Sequence, residues 1–166
     1  MKPTWQVMWQ KKKNNNKTIS YFYIRHLMTR TFLTFVWKAC SDILPTRANL
    51  FRRKIPIDPL CTVCGQVDET MTHALWECPL ARNVWALVRG KLQKCGAAAP
   101  NFLLLARQMV AKLTGPELEL WAMVSWSIWN ARNRYHFEAK QSQPSDILCG
   151  ATQWRSHMYT KAPQNF

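Results

Sequence analysis

Four residues constrain this chain more than any others: Cys61, Cys64, His73 and Cys78, spaced Cys-x2-Cys-x8-His-x4-Cys. A two-residue gap lets both thiolates of one turn face the same ion. Gly65 follows the second cysteine, where the backbone of such a turn usually needs a positive φ angle. His-x4-Cys spans about one helical turn and its exit, so it closes a tetrahedron from the opposite side. Three thiolates and one imidazole suit zinc and leave no open coordination position, so the spacing predicts a structural ion rather than a Lewis-acid catalyst. Its binding would contribute on the order of 10 kcal/mol to folding. The apolar content of residues 55–78 is too thin to hold that segment without it. Three small buried cysteines and a surface histidine would be the plainer description, but it leaves the spacing unexplained.

The remaining cysteines, Cys40, Cys95 and Cys149, are scattered and read as small apolar residues in helices; His26, His136 and His157 read as ordinary core or surface histidines. Six cysteines with three in one tight cluster fit metal binding in a reducing compartment better than a disulfide framework. No apolar run follows Lys2 or Lys11–Lys13, so no secretory signal is visible, and no stretch reaches the roughly 20 apolar residues of a membrane span. The expectation is an intracellular protein, nuclear or cytoplasmic, without a membrane partner.

Charge divides the chain. The 166 residues carry a net +14. Residues 1–54 hold twelve Lys/Arg against Asp42 alone; residues 55–98 hold four of each sign; residues 99–166 hold seven cations against four acids. Such asymmetry suits a polyanionic partner, because each cation that meets a phosphate releases a condensed counterion. A solvated basic tail that binds nothing specific is the competing description. Arg47, Arg52, Arg53 and Lys54, just before the metal ligands, are the candidate nucleic-acid contacts. They equally suit electrostatic support of a Cys3His zinc site, whose net charge is near −1.

Hydrophobic periodicity predicts a mainly α fold, a small helical domain organised around the one Cys3His zinc site. Residues 1–20, with Lys11-Lys12-Lys13-Asn14-Asn15-Asn16-Lys17, read as a basic low-complexity tail without a fixed structure. Helices are expected over 21–43, with Ile24, Leu27, Met28, Phe32, Phe35 and Val36 on one face, and over 47–54, capped by Thr46 with Ala48, Leu50 and Phe51 inside. His73 falls in a helical piece over 70–77. Further helices are expected over 80–94, 101–113 and 117–138, and a weaker one over 146–159. No segment alternates convincingly as a strand. The organisation so predicted is a tail (1–20), a helical zinc-binding region (21–95), a second helical region (96–138) and a linker-like C-terminal segment (139–166). Nine tryptophans are a heavy load for this length. Trp37, Trp76, Trp85, Trp121, Trp126 and Trp129 sit at helical spacing with other apolar residues, so core packing is preferred over base stacking. Trp126, Trp129 and Asn133 form one stripe, which leaves Arg132 off it and exposed. No carboxylate pair, activated nucleophile or phosphate-cradling glycine loop is visible, so no enzyme is expected.

The run Phe35-Val36-Trp37-Lys38-Ala39, then Leu44-Pro45-Thr46, Asn49-Leu50, Arg52-Arg53, Cys61-x2-Cys64, Glu69-Thr70, His73, Cys78-Pro79 and Val84-Trp85, resembles the zinc-binding region of plant non-LTR (LINE-type) retrotransposon reverse transcriptases. Trp126-Ser127-Ile128-Trp129-Asn130-Ala131-Arg132-Asn133, with Phe137, resembles the helix that these polyproteins carry between that region and RNase H. The matches span about residues 32–138. Met28-Thr29-Arg30 replaces the family's Pro-x-Lys, and neither the Tyr/Phe-x-Asp-Asp motif of a polymerase nor an RNase H carboxylate cluster is present. The resemblance implies a detached piece of such a polyprotein, or a gene derived from one, that handles the element's RNA or its target DNA. It implies the polymerase and RNase H domains of the parent polyprotein as further partners. A longer middle segment than that of a retroviral zinc knuckle, Val67 to Met71, argues against transferring the knuckle's base-reading mechanism. The alternative function is a protein-interaction or spacer module, or a transposon relic.

Overall fold

The computed structural model describes residues 30–93 and 98–161, with side chains for 31–93 and 98–156. The basic tail, the first part of the expected 21–43 helix, His26, Cys95 and the side chain of His157 lie outside the described residues. Helix α1, Arg30–Cys40, buries Phe32, Phe35 and Ala39 at spacings of three and four, the pattern of a one-sided helix. It ends earlier than the expected residue 43 because Asp42 takes φ 53°. Asn49 holds that bend: its Nδ2 donates to the carbonyls of Asp42 and Leu44, both at 2.9 Å.

Helix α2, Arg47–Arg52, starts where Thr46 Oγ1 accepts from the Asn49 N–H at 3.2 Å, a side-chain N-cap. The expected continuation to Lys54 fails for a definite reason. Lys54 takes φ 66°, its N–H donates to the Phe51 carbonyl, and the Ile55 N–H donates to the Leu50 carbonyl. That pair of bonds is a Schellman end, in which the left-handed position normally belongs to glycine. Phe51 lies within the helix as expected, with its side chain 54% exposed.

Helix α3, Pro79–Leu87, buries Ala81, Val84 and Trp85. It stops well short of residue 94 because Val88 is extended and Gly90 takes φ 95°. Helix α4, Phe102–Lys112, is capped by Asn101 Oδ1, and helix α5, Gly115–Glu138, begins with a Thr114/Glu117 capping box. Helix α6 runs Pro144–Lys161. The segment expected to be linker-like is therefore largely helical, and Ile147 and Ala151 are buried in it. The sequence pattern is weak there because so few positions of α6 meet the core.

Helix α5 is the axis of the fold. Twelve of its residues are buried on nearly every side. It packs against α1, α6 and the helical turn that carries His73, while α1 also meets α4 and α3 meets α6. One cluster of buried side chains runs from Phe32 to Ala151 and includes Cys61 and Cys78. The second helical region is thus not a separate layer: it shares a core with the metal-ligand segment. Phe102 stacks on Trp121 at 5.5 Å, and Phe32 meets Trp126 edge-on at 5.2 Å. Trp85, Trp121 and Trp129 are buried, and Trp37, Trp76 and Trp126 half-buried, in keeping with a packing role. Cys149 departs from its expectation: it is exposed. No helix among the described residues is long and apolar enough to cross a membrane.

Candidate metal centre

The chain builds the centre from two halves. In the first, residues 59–61 turn back on 67–69: the Cys61 N–H donates to the Val67 carbonyl at 2.9 Å, the Glu69 N–H to the Pro59 carbonyl at 2.9 Å, and Leu60 and Asp68 form an antiparallel bridge. Between these arms the Gly65 N–H closes onto the Cys61 carbonyl at 2.7 Å, with Gly65 at φ 65°. The turn aims the Val63 and Cys64 amides at the Cys61 sulfur, a donor pattern that favours a thiolate.

The second half is a π-helical turn, His73–Glu77, in which the Cys78 N–H donates to the His73 carbonyl at 2.7 Å. Residues five apart on an α-helix point about 140° away from each other. The wider i→i+5 turn removes most of that offset, so His73 and Cys78 face one point. Thr70 Oγ1 accepts from the His73 N–H at 3.1 Å and anchors the turn's entry. Cys78 is also the N-cap of α3, ahead of Pro79, where the helix dipole and the Leu80 amide favour negative charge.

The structure brings all four sequence-predicted ligands together. Their donor atoms lie within 4.8 Å of one another. Cys64 Sγ is 3.3 Å from His73 Nε2. A tetrahedral zinc site has sulfur–sulfur edges of about 3.8 Å and sulfur–nitrogen edges of about 3.5 Å, so the cluster fits that ion with small adjustments. Cys61, His73 and Cys78 are buried and Cys64 is half-buried. Thiols packed this tightly share protons: the hydrogen bond with Cys78, aided by burial, pushes the Cys61 thiol up to about 12, and the same bond lowers Cys78. The hydrogen bond with Cys61 raises His73 above its usual range.

The four candidate nucleic-acid contacts are split. Arg47 Nε donates to the Asp58 carbonyl at 2.7 Å, which places it against the strand-like arm leading to Cys61. Arg52 pairs with Asp42 Oδ2 at 2.9 Å and also donates to Asn49 Oδ1, while Arg53 donates to the Ile43 carbonyl at 3.1 Å. Lys54 is exposed at the helix end. Arg52, Arg53 and Lys54 are all exposed, and Arg47 is half-buried.

Sequence reasoning missed one pair. Arg132 is 4% exposed, not exposed as expected, and its Nε donates to Glu69 Oε1 at 2.8 Å. A second guanidinium N–H meets Glu69 Oε2, which also accepts from the Arg47 backbone N–H at 2.9 Å. The guanidinium lies 5.0 Å from the centre of the Trp129 ring. Trp121, Ser125, Ile128 and Arg132 form the buried stripe beside the one inferred from Trp126 and Trp129. On a helix buried this far round, either stripe fits the pattern, and the spacing Trp121-x3-Ser125-x2-Ile128-x3-Arg132 was the available signal.

The family described as zinc-binding in reverse transcriptase matches residues 1–85, and all four ligands fall within that match. The chain belongs to that family. No curated protein and no solved structure matches it. As a reverse-transcriptase zinc-binding module, the chain carries its metal site in the matched half. It docks that half, through Glu69 and Arg132, on a helix outside the match.

Proposed function

We propose that this zinc-binding module serves a LINE-type retroelement protein by binding nucleic acid, RNA or DNA, without catalysis of its own. The observation that carries the reading is the charge distribution: residues 1–54 are strongly basic, whereas the segment that holds the metal is neutral. Zinc, closed in by four protein ligands, acts on shape. The exposed Arg52, Arg53 and Lys54, with Arg47 beside the first metal arm, supply the phosphate contacts. The family is itself described by zinc binding rather than by a reaction, which supports a non-catalytic role. A plant element as the source, an intracellular setting in nucleus or cytoplasm, and polymerase or RNase H domains as neighbours belong to the same proposal.

A second reading has its own support. Ile43, Phe51, Ile55, Leu60 and Val67 are exposed, which suits a protein-interaction or spacer module. A salt titration of binding to single-stranded RNA and DNA separates the two. The nucleic-acid reading expects a steep loss of affinity with salt that is blunted by removing Arg52, Arg53 and Lys54. No binding at low salt would sink it.

A further inference from the structure

We propose that Phe51 is a stacking platform for an unpaired base, flanked by Arg47 and Lys54 as phosphate contacts, so that the module prefers single-stranded nucleic acid. The proposal rests on the nucleic-acid reading above and adds to it a ligand class and a contact residue. A phenylalanine on a short helix ordinarily turns its ring into the core. Here the ring is 54% exposed. Arg47 lies four residues before it, on the same helix face. Lys54 lies three residues after it, in the Schellman end that closes on the Phe51 carbonyl. Arg52 and Arg53, also exposed, each make a bond within the module, Arg52 to Asp42 and Asn49 and Arg53 to the Ile43 carbonyl, and add to the cationic surface around the ring. Arg47 is half-buried and steadied by its bond to the Asp58 carbonyl. Two acids beside α2 already have partners, Asp42 in Arg52 and Glu69 in Arg132.

The chemistry selects the occupant. An apolar protein partner would cover the ring but would have to desolvate cations on both sides without matching acids. A single strand presents an aromatic base face with phosphates before and after it, and stacking of that kind tolerates any base. A duplex keeps its bases paired and stacked, so it meets the cations but not the ring.

The test uses the full zinc-loaded chain and fluorescence anisotropy with labelled oligonucleotides, single-stranded and duplex, RNA and DNA, across a salt series. Phe51→Ala should weaken single-strand binding by about tenfold while leaving its salt slope unchanged. Duplex binding should stay as in the parent. Phe51→Trp should restore single-strand affinity, and Phe51→Leu, which keeps apolar bulk without a ring, should not. Lys54→Gly suits the left-handed backbone position, so it should fold at least as well as the parent and lower the slope by about 0.7 for single strands. Zinc content and helical circular dichroism equal to the parent's qualify each variant.

Full single-strand affinity in Phe51→Ala, with Lys54→Gly still weakened, would overturn the stacking role and leave the nucleic-acid reading standing. Equal losses on duplex and single strand would also overturn it. No binding by the parent chain at low salt would overturn both.

Discussion

Arg132 Nε donates to Glu69 Oε1 at 2.8 Å, across 63 residues of sequence, with both side chains buried. Glu69 ends the arm, residues 67–69, that pairs with the Cys61 segment, and Arg132 sits near the end of α5. The pair therefore locks the metal loop onto the central helix. Removing one member strands a buried charge, and the loss exceeds the worth of the pair itself. Glu69→Ala leaves Arg132 unpaired and also frees the Arg47 N–H. We expect it to cost about 3–5 kcal/mol in chemical denaturation. Arg132→Met, with Glu69→Gln in the same chain, should recover much of that loss, because neither carries a buried charge.

Metal removal is the most direct test of the centre. Cys61→Ser and His73→Ala should each lose the zinc found in the parent, about one ion per chain, together with part of the helical signal. Binding should also release protons. Cys61 is pushed up to about 12, so its thiol holds a proton at neutrality until the metal displaces it, and the upward shift of His73 acts in the same direction. Affinity therefore falls as pH falls, because protons compete for the same donor atoms. Calorimetric titrations in two buffers of different ionisation enthalpy should give different apparent heats. Identical heats would mean that no proton leaves.

The ligands were legible because metal chemistry restricts residue types and intervals severely, so Cys61, Cys64, His73 and Cys78 needed no knowledge of the surroundings. Helices α4 and α5 were legible from their length and apolar content and from the Gly115-Pro116 break between them. The turn that joins His73 to Cys78 was not. A helical period read from sequence does not distinguish an i→i+4 from an i→i+5 ladder, although only the wider one turns His73 and Cys78 toward one point. The burial of Arg132 was hidden for a different reason. Helix α5 is enclosed on most sides, and a charge inside such a helix is acceptable only if a distant partner exists, which no local pattern reveals. Helix ends at Leu87 and Arg52 shifted because single left-handed residues, Gly90 and Lys54, decide them.

The π-turn has a supporting residue. Trp85 Nε1 donates to the Leu75 carbonyl at 2.8 Å, buried, and its ring lies 5.0 Å from that of Trp76. The residue four on from Leu75 is Pro79, which has no N–H to offer, and Trp85 satisfies that carbonyl instead. Trp85→Phe keeps much of the ring but leaves Leu75 O unsatisfied, at a cost of about 1–3 kcal/mol. Because the turn carries both His73 and Cys78, the variant should also release zinc faster to a chelator. An unchanged release rate would separate the turn's stability from the metal.

Gly65 isolates the backbone contribution to the metal loop. Its φ is 65°, and a Cβ added there would meet nothing within 4 Å. Any penalty for a side chain thus comes from the left-handed conformation and not from crowding. Gly65→Ala should cost about 1–2 kcal/mol of metal-bound stability. Gly65→Asn should cost less, because asparagine adopts that region readily. The two variants present different bulk in the same open space, so a steric origin would reverse their order. Chelator competition measures both affinities. If Gly65→Asn proves worse than Gly65→Ala, the left-handed backbone does not explain the glycine at this position.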